Sequence, residues 1–170
     1  MPQGLKQTSS VVAISSDTLE SAANTFTQSR ISLDLSPLDN EVFVVVAIDL
    51  NPQFPDAING VDTSSQACLS TTSRTTMGFI QDSNVLASAS TAIRAAGFAN
   101  AGVGFTQASL ETPPANLDYI GIIATNDFFL SIQGTANAGA KAVGARVWGY
   151  RAKADANVFS ALVQSEVLSA

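Results

Sequence analysis

Three aspartates, Asp49, Asp56 and Asp62, fall in one polar stretch, residues 49–62. Loop carboxylates with nearby carbonyls are the donor set of a calcium site, because a hard cation prefers oxygen. Their spacing matches no calcium-binding loop, and turn aspartates commonly hydrogen-bond their own backbone, which is the preferred reading. Glu111 and Asp118 could work as an acid–base pair if the fold joined them, but any acidic chain contains such candidates. The glycines around Gly102-Val103-Gly104 and from Gly134 to Gly144 lack the strand–turn–helix spacing of a phosphate-binding loop and read as turns and bulges. Trp148 and Tyr150, flanked by Arg146 and Arg151, combine aromatic and cationic groups that can stack on bases or sugars. Packing beneath a terminal helix or at a subunit contact is the simpler use of them.

Histidine is absent, which removes Ser-His-Asp and Cys-His nucleophile systems and His-ligated metal sites together. Cys68 is the single cysteine, so no disulfide can close within the chain. No catalytic, cofactor-binding or metal-binding residue is assigned, no cofactor is expected, and the chain is not read as an enzyme.

The elements that would position these groups are mostly strands. Residues 25–35 (TFTQSRISLDL) alternate, with Ile31, Leu33 and Leu35 on one side, and residues 41–50 (EVFVVVAIDL) form a nearly continuous apolar run of the kind covered on both faces. The turn residues between them, 36–40, suggest a hairpin. A long polar connection, residues 51–66, leads to a Thr-rich segment, 67–76, expected as an exposed strand. Asp82, Ser83 or Asn84 can cap a short internal helix running to about residue 96, because Val85, Ala89, Ala92 and Ile93 share a helical face and Gly97 suits its stop. Residues 103–110 alternate again, ended by Pro113-Pro114. Residues 119–124 and 127–133 flank Thr125-Asn126 as a second hairpin. The last long strand, 141–153, puts Val143, Ala145 and Val147 toward a core and Arg146, Trp148 and Tyr150 on the other face. Asp155 can then cap a C-terminal helix, about residues 156–168, whose Val158, Phe159, Leu162, Val163 and Val167 form an apolar stripe.

With 170 residues and no linker-like stretch, the chain reads as a single domain, 1–170, with a polar N-terminal lead-in of about residues 1–24. About seven or eight strands with uneven connections and two short helices predict an all-β, antiparallel β-sandwich, a single jelly roll being the preferred form.

Composition limits the partners. Apolar residues make up 46% and charged residues 13%, a weakly repelling surface that suits packing beside copies of the same chain. The net charge is −6 and the basic residues are scattered, so direct nucleic-acid binding is not expected. No run of eighteen apolar residues is present to span a bilayer, and residues 1–10 lack the pattern of a secretory signal.

The segments ISLDLSPLDNEVFVVVAIDL, DYIGIIATNDFFLSIQG and ARVWGYRAKAD together resemble small single jelly-roll viral capsid-type proteins. The resemblance implies a virion protein, a major capsid subunit whose many copies form a closed shell through lateral contacts, with accessory virion proteins as further partners. It departs from the RNA-virus form in having no basic amino-terminal arm. Candidate subunit contacts are Trp148, Tyr150, Arg151, Val158, Phe159, Leu162 and Val163, although the helical stripe most simply covers its own sheet, docking onto a neighbour being the alternative. Two alternatives remain: a subunit of an extracellular filament or surface lattice, and a carbohydrate-binding sandwich with Trp148, Tyr119 and Tyr150 as its platform.

Overall fold

Val42, Phe43, Val44 and Val45 are all buried, although neighbours along a strand point to opposite faces. Both faces of their strand must therefore be covered, and the architecture shows by what. The computed structural model describes residues 4–97, 104–110 and 117–168. In chain order the strands are β1 (Leu5–Gln7), β2 (Val12–Leu19), β3 (Thr27–Ser32), β4 (Glu41–Pro52), β5 (Thr63–Ser70), β6 (Val85–Arg94), β7 (Phe105–Leu110), β8 (Gly121–Ile123), β9 (Asp127–Thr135) and β10 (Ala142–Ala154). A 3₁₀ turn, Pro37–Asp39, precedes β4, and one α-helix, α1 (Ala156–Leu168), follows β10.

The strands form two antiparallel sheets. In the first, β1 and β2 lie end to end along one edge of β10, followed by β4 and β8. In the second the order is β3-β9-β5-β6-β7. The pairs β2–β10, β3–β9, β4–β8 and β5–β6 are nested in sequence, the outermost strands pairing first, so the chain is one long hairpin folded over itself. This is the strand order of a single jelly roll, as the sequence predicts.

The core lies between the sheets. Phe43, Val45, Ile123, Val143, Ala145 and Val147 from the first meet Ala67, Leu69, Ala89, Phe128, Leu130 and Ile132 from the second. Burying each larger side chain contributes roughly 1.5–3 kcal/mol. At Trp148/Gly149 the pairing of β10 with β4 shifts register, leaving Val46 as the extra, exposed residue of a bulge. Gly149 is needed there, because a Cβ would collide with the Phe43 ring and the Val44 carbonyl.

Several sequence expectations are corrected. The internal helix expected at about residues 82–96 is strand β6. Its Leu-Ala-Ser-Ala-Ser run has period two as well as a helical face, and Ala87 and Ala89 point inward. The preference of alanine for helix, a few tenths of a kcal/mol per residue, yields to pairing on both edges and to core burial. Asp82 caps nothing helical; its carboxylate accepts the Phe79 N–H at 3.0 Å and pairs with Arg74 at 2.9 Å.

Neither expected hairpin forms. β3 pairs with β9 and β4 with β10, in different sheets, and the link between them crosses the core edge with Leu33 and Leu35 buried. Likewise β8 pairs with β4, while β9 pairs with β3 and β5, so Thr125-Asn126 is a passage between sheets. The Thr-rich segment at 67–76 is not an exposed strand: β5 lies inside its sheet with Ala67, Cys68, Leu69 and Ser70 buried, and the strand ends at Ser70. The polar lead-in contains β1 and β2, which need little apolar sequence because they form an edge. Residue 103 and Pro113-Pro114 lie outside the described residues.

Candidate functional site

β4 and β10 carry the outer face of the first sheet, and that face divides into two halves. In the half near α1, Val42, Val44, Ile122, Tyr150, Ala152 and Ala154 point outward with Leu5 and form a second apolar cluster. Val158, Phe159, Leu162 and Val163 of α1 pack against it. The helix starts where the sequence places it: Asp155 Oδ1 accepts the Val158 N–H at 2.8 Å, and the Asp155 N–H donates to the Gly4 carbonyl at 3.0 Å. The four helical residues thus cover their own sheet, the simpler of the two uses expected for the stripe.

The stripe itself needs one correction. At about 100° per residue, position 166 falls in the middle of the arc set by 158, 159, 162 and 163, and position 167 falls well to one side. Val167 is accordingly 63% exposed, whereas Glu166 is buried at 7%. Glu166 Oε1 accepts the Ala124 N–H at 3.1 Å. Burial pushes its carboxyl above the ordinary range, against the opposing pull of the Ala124 N–H.

The other half of the face is open. Register places Ser15, Arg146 and Asp49 in one row and Asp17, Gly144 and Asn51 in the next, all pointing away from the core. Trp148 stands at the boundary, half-buried, with the Arg146 guanidinium 5.8 Å from its ring centre. Arg146 Nε also donates to Ser15 Oγ at 3.2 Å. Tyr150, expected beside Trp148, shares its face but lies in the covered half, where burial and then the Asp118 charge push its phenol up. Tyr119 is 37% exposed but Tyr150 is buried at 7%, so Tyr150 has no open face to add to a platform with Trp148 and Tyr119. Arg151 turns inward: it pairs with Glu41 at 3.0 Å and donates to the Leu33 carbonyl at 2.7 Å and the Asp34 carbonyl at 3.2 Å, fastening the crossing from β3 to β4.

The open half ends at a polar clasp that sequence reasoning missed. Buried Glu20 accepts the N–H groups of Gly134 at 2.6 Å and Lys141 at 2.7 Å. Buried Asn137 accepts the Asp56 N–H at 2.8 Å and donates to the Ser64 carbonyl at 2.8 Å, while its own N–H donates to Asn24 at 2.7 Å. Lys141 Nζ meets Asp56 at 2.5 Å. Lys141 and then the Gly139 N–H hold the Asp56 carboxyl below its ordinary value. Three chain segments far apart in sequence, residues 20–24, 56–64 and 134–141, meet here. Polar loop residues read as solvated in a sequence, and nothing local marks these as buried.

The three aspartates weighed for calcium go separate ways. Asp56 serves the clasp, Asp62 accepts the Ala95 and Ala96 N–H groups at 2.7 and 2.9 Å, and exposed Asp49 faces Arg146 across the ladder. Among the described residues no group of three or more carboxylate or thiol side chains could hold a metal. Glu111 lies outside them. Cys68 is buried, and burial pushes its thiol up, away from a reactive thiolate. No helix among the described residues is long and apolar enough to cross a membrane.

What remains is surface. Large apolar side chains are exposed at both loop ends of the sandwich, Leu19 and Phe54 at one and Leu38, Phe79 and Ile80 at the other. Comparison with known protein families, curated proteins and solved structures finds no match.

Proposed function

We propose that the chain is a structural subunit that assembles with copies of itself, a viral major capsid protein forming a closed shell through lateral contacts. The observation that carries this reading is the placement of exposed large apolar groups, among them Phe54 at 65% and Ile80 at 66%, at opposite ends of a weakly charged jelly roll. Apolar surface left in water is a contact waiting for a partner, and patches at opposite ends let one copy meet the next. The helix and clasp complete the subunit internally, so in this reading the contacts lie at loop ends and sides rather than at α1. Of the candidate contacts, Trp148, half-buried at the margin of the open half, is best placed to meet a neighbour.

Charge supports a shell that does not grip nucleic acid directly. Six of the eight basic side chains, Arg30, Arg74, Arg94, Lys141, Arg151 and Lys153, are in ion pairs with carboxylates of the same chain. Little cationic charge is left to gather phosphates. Cargo is then recruited by accessory virion proteins.

Electron microscopy of the purified protein tests the reading. Uniform closed particles are expected. Long fibres would replace the shell with a filament or surface lattice built on an open operator, and single subunits that persist at high concentration would overturn self-assembly altogether.

A further inference from the structure

α1 rests on its sheet through four aliphatic or aromatic side chains and one carboxyl group, and that group is at the centre of the buried stripe. Where an apolar residue would continue the contact of Phe159 and Leu162, the chain places Glu166. One carboxyl oxygen takes the Ala124 N–H, at the end of β8; the other is enclosed with no hydrogen-bond partner among the described residues. An ionised carboxylate enclosed in this way is costly unless a cation or several donors face it. The charged group that acts on it from the packed elements is Asp127 of β9, whose like charge opposes ionisation and which is itself paired with Arg30 of β3 at 2.5 Å. Tyr150 of β10 lies in the same apolar cluster; the Thr125 hydroxyl and N–H, next to Ala124, favour the ionised form but are outweighed by burial, and neither residue brings positive charge. Along the helix itself no basic residue stands in the last turn.

We propose that Glu166 is a protonation latch: with its carboxyl neutral the end of α1 stays seated on the first sheet, and with it ionised that end lifts away and uncovers Val44, Ile122 and Tyr150. The inference does not depend on the assembly reading, because it concerns a contact within one chain. The direction follows from linkage. Seating raises the affinity of the carboxyl for its proton, so the contribution of Glu166 to seating is complete below the value for the free helix. It is lost as pH rises through the value in the seated state, and above that the helix stays more weakly held. Loosening therefore comes with rising pH, the opposite of the surface aspartates.

Hydrogen exchange read by mass spectrometry on the full chain, from acid to mildly alkaline pH and corrected for the intrinsic rate, tests it. Peptides spanning residues 160–168 and 121–125 are expected to lose protection several-fold as pH rises, while β9 peptides, deep in the other sheet, keep theirs. In Glu166→Gln, which retains the acceptor for Ala124 but cannot ionise, the loss should vanish, and Glu166→Leu should hold the helix seated throughout. Protection in the wild type that does not change with pH, a loss shared equally by β9, or the same loss in Glu166→Gln would each overturn the latch.

Discussion

β4 and β10 each run through two environments on a single sheet face. At one end their outward residues are Val42, Val44, Tyr150 and Ala152, sealed by α1; at the other they are Asp49, Asn51, Gly144 and Arg146, open and tied off by the Glu20–Asn137–Lys141 clasp. The same strand thus changes from doubly buried to alternating within a few residues. An apolar run on a strand reports the extent of its cover, and its end marks where the cover stops.

The sharpest way to break this comparison is a charge in each half. Val44→Asp puts a carboxylate under α1 at a fully buried site and should cost about 4 kcal/mol or more in urea unfolding. Asn51→Asp, on the open half of the same strand, should change stability by no more than about 0.5 kcal/mol. Comparable losses would mean that the halves are not different. Next in size is the cap. Asp155→Ala removes the acceptor for Val158 and should lower stability by about 1 kcal/mol, with the change in exchange confined to α1.

The clasp answers to acid rather than to apolar cover. The Asp56 carboxyl is held low by Lys141 and the Gly139 N–H, so its contribution is present above the ordinary carboxylate value and is lost as pH falls through the lowered one. Urea midpoints measured from about pH 5 downward should fall less steeply in Asp56→Asn than in the wild type. An unchanged acid limb would remove Asp56 from the clasp. The smallest effect belongs to the open half: Arg146→Ala should cost about 0.5 kcal/mol, the worth of an exposed cation over an indole, and should redshift Trp148 emission as the ring loses its lid.

Legibility in the sequence follows the range of the interaction. β4, β9, β10 and α1 could be read because their periodicity is local and strong. β6 could not, because Ala and Ser alternation satisfies both periods and only its neighbours β5 and β7 decide between them. Both hairpins failed for one reason: residues 36–40 and Thr125-Asn126 look like short turns, yet the partners of β3, β4, β8 and β9 are set by nested pairing across the whole chain. At α1 the outline was readable and one residue was not, since Val167 looks apolar enough to be inside while helical angle puts Glu166 there. The clasp was invisible, as a buried Glu or Asn has the same letter as a solvated one.

Sedimentation velocity across a wide concentration range, on the wild type beside a Phe54→Ser, Ile80→Ser double variant, addresses self-assembly most directly. The account predicts large discrete particles for the wild type and single folded subunits with an unchanged thermal midpoint for the variant. A wild type that sediments as one chain at every concentration would contradict it.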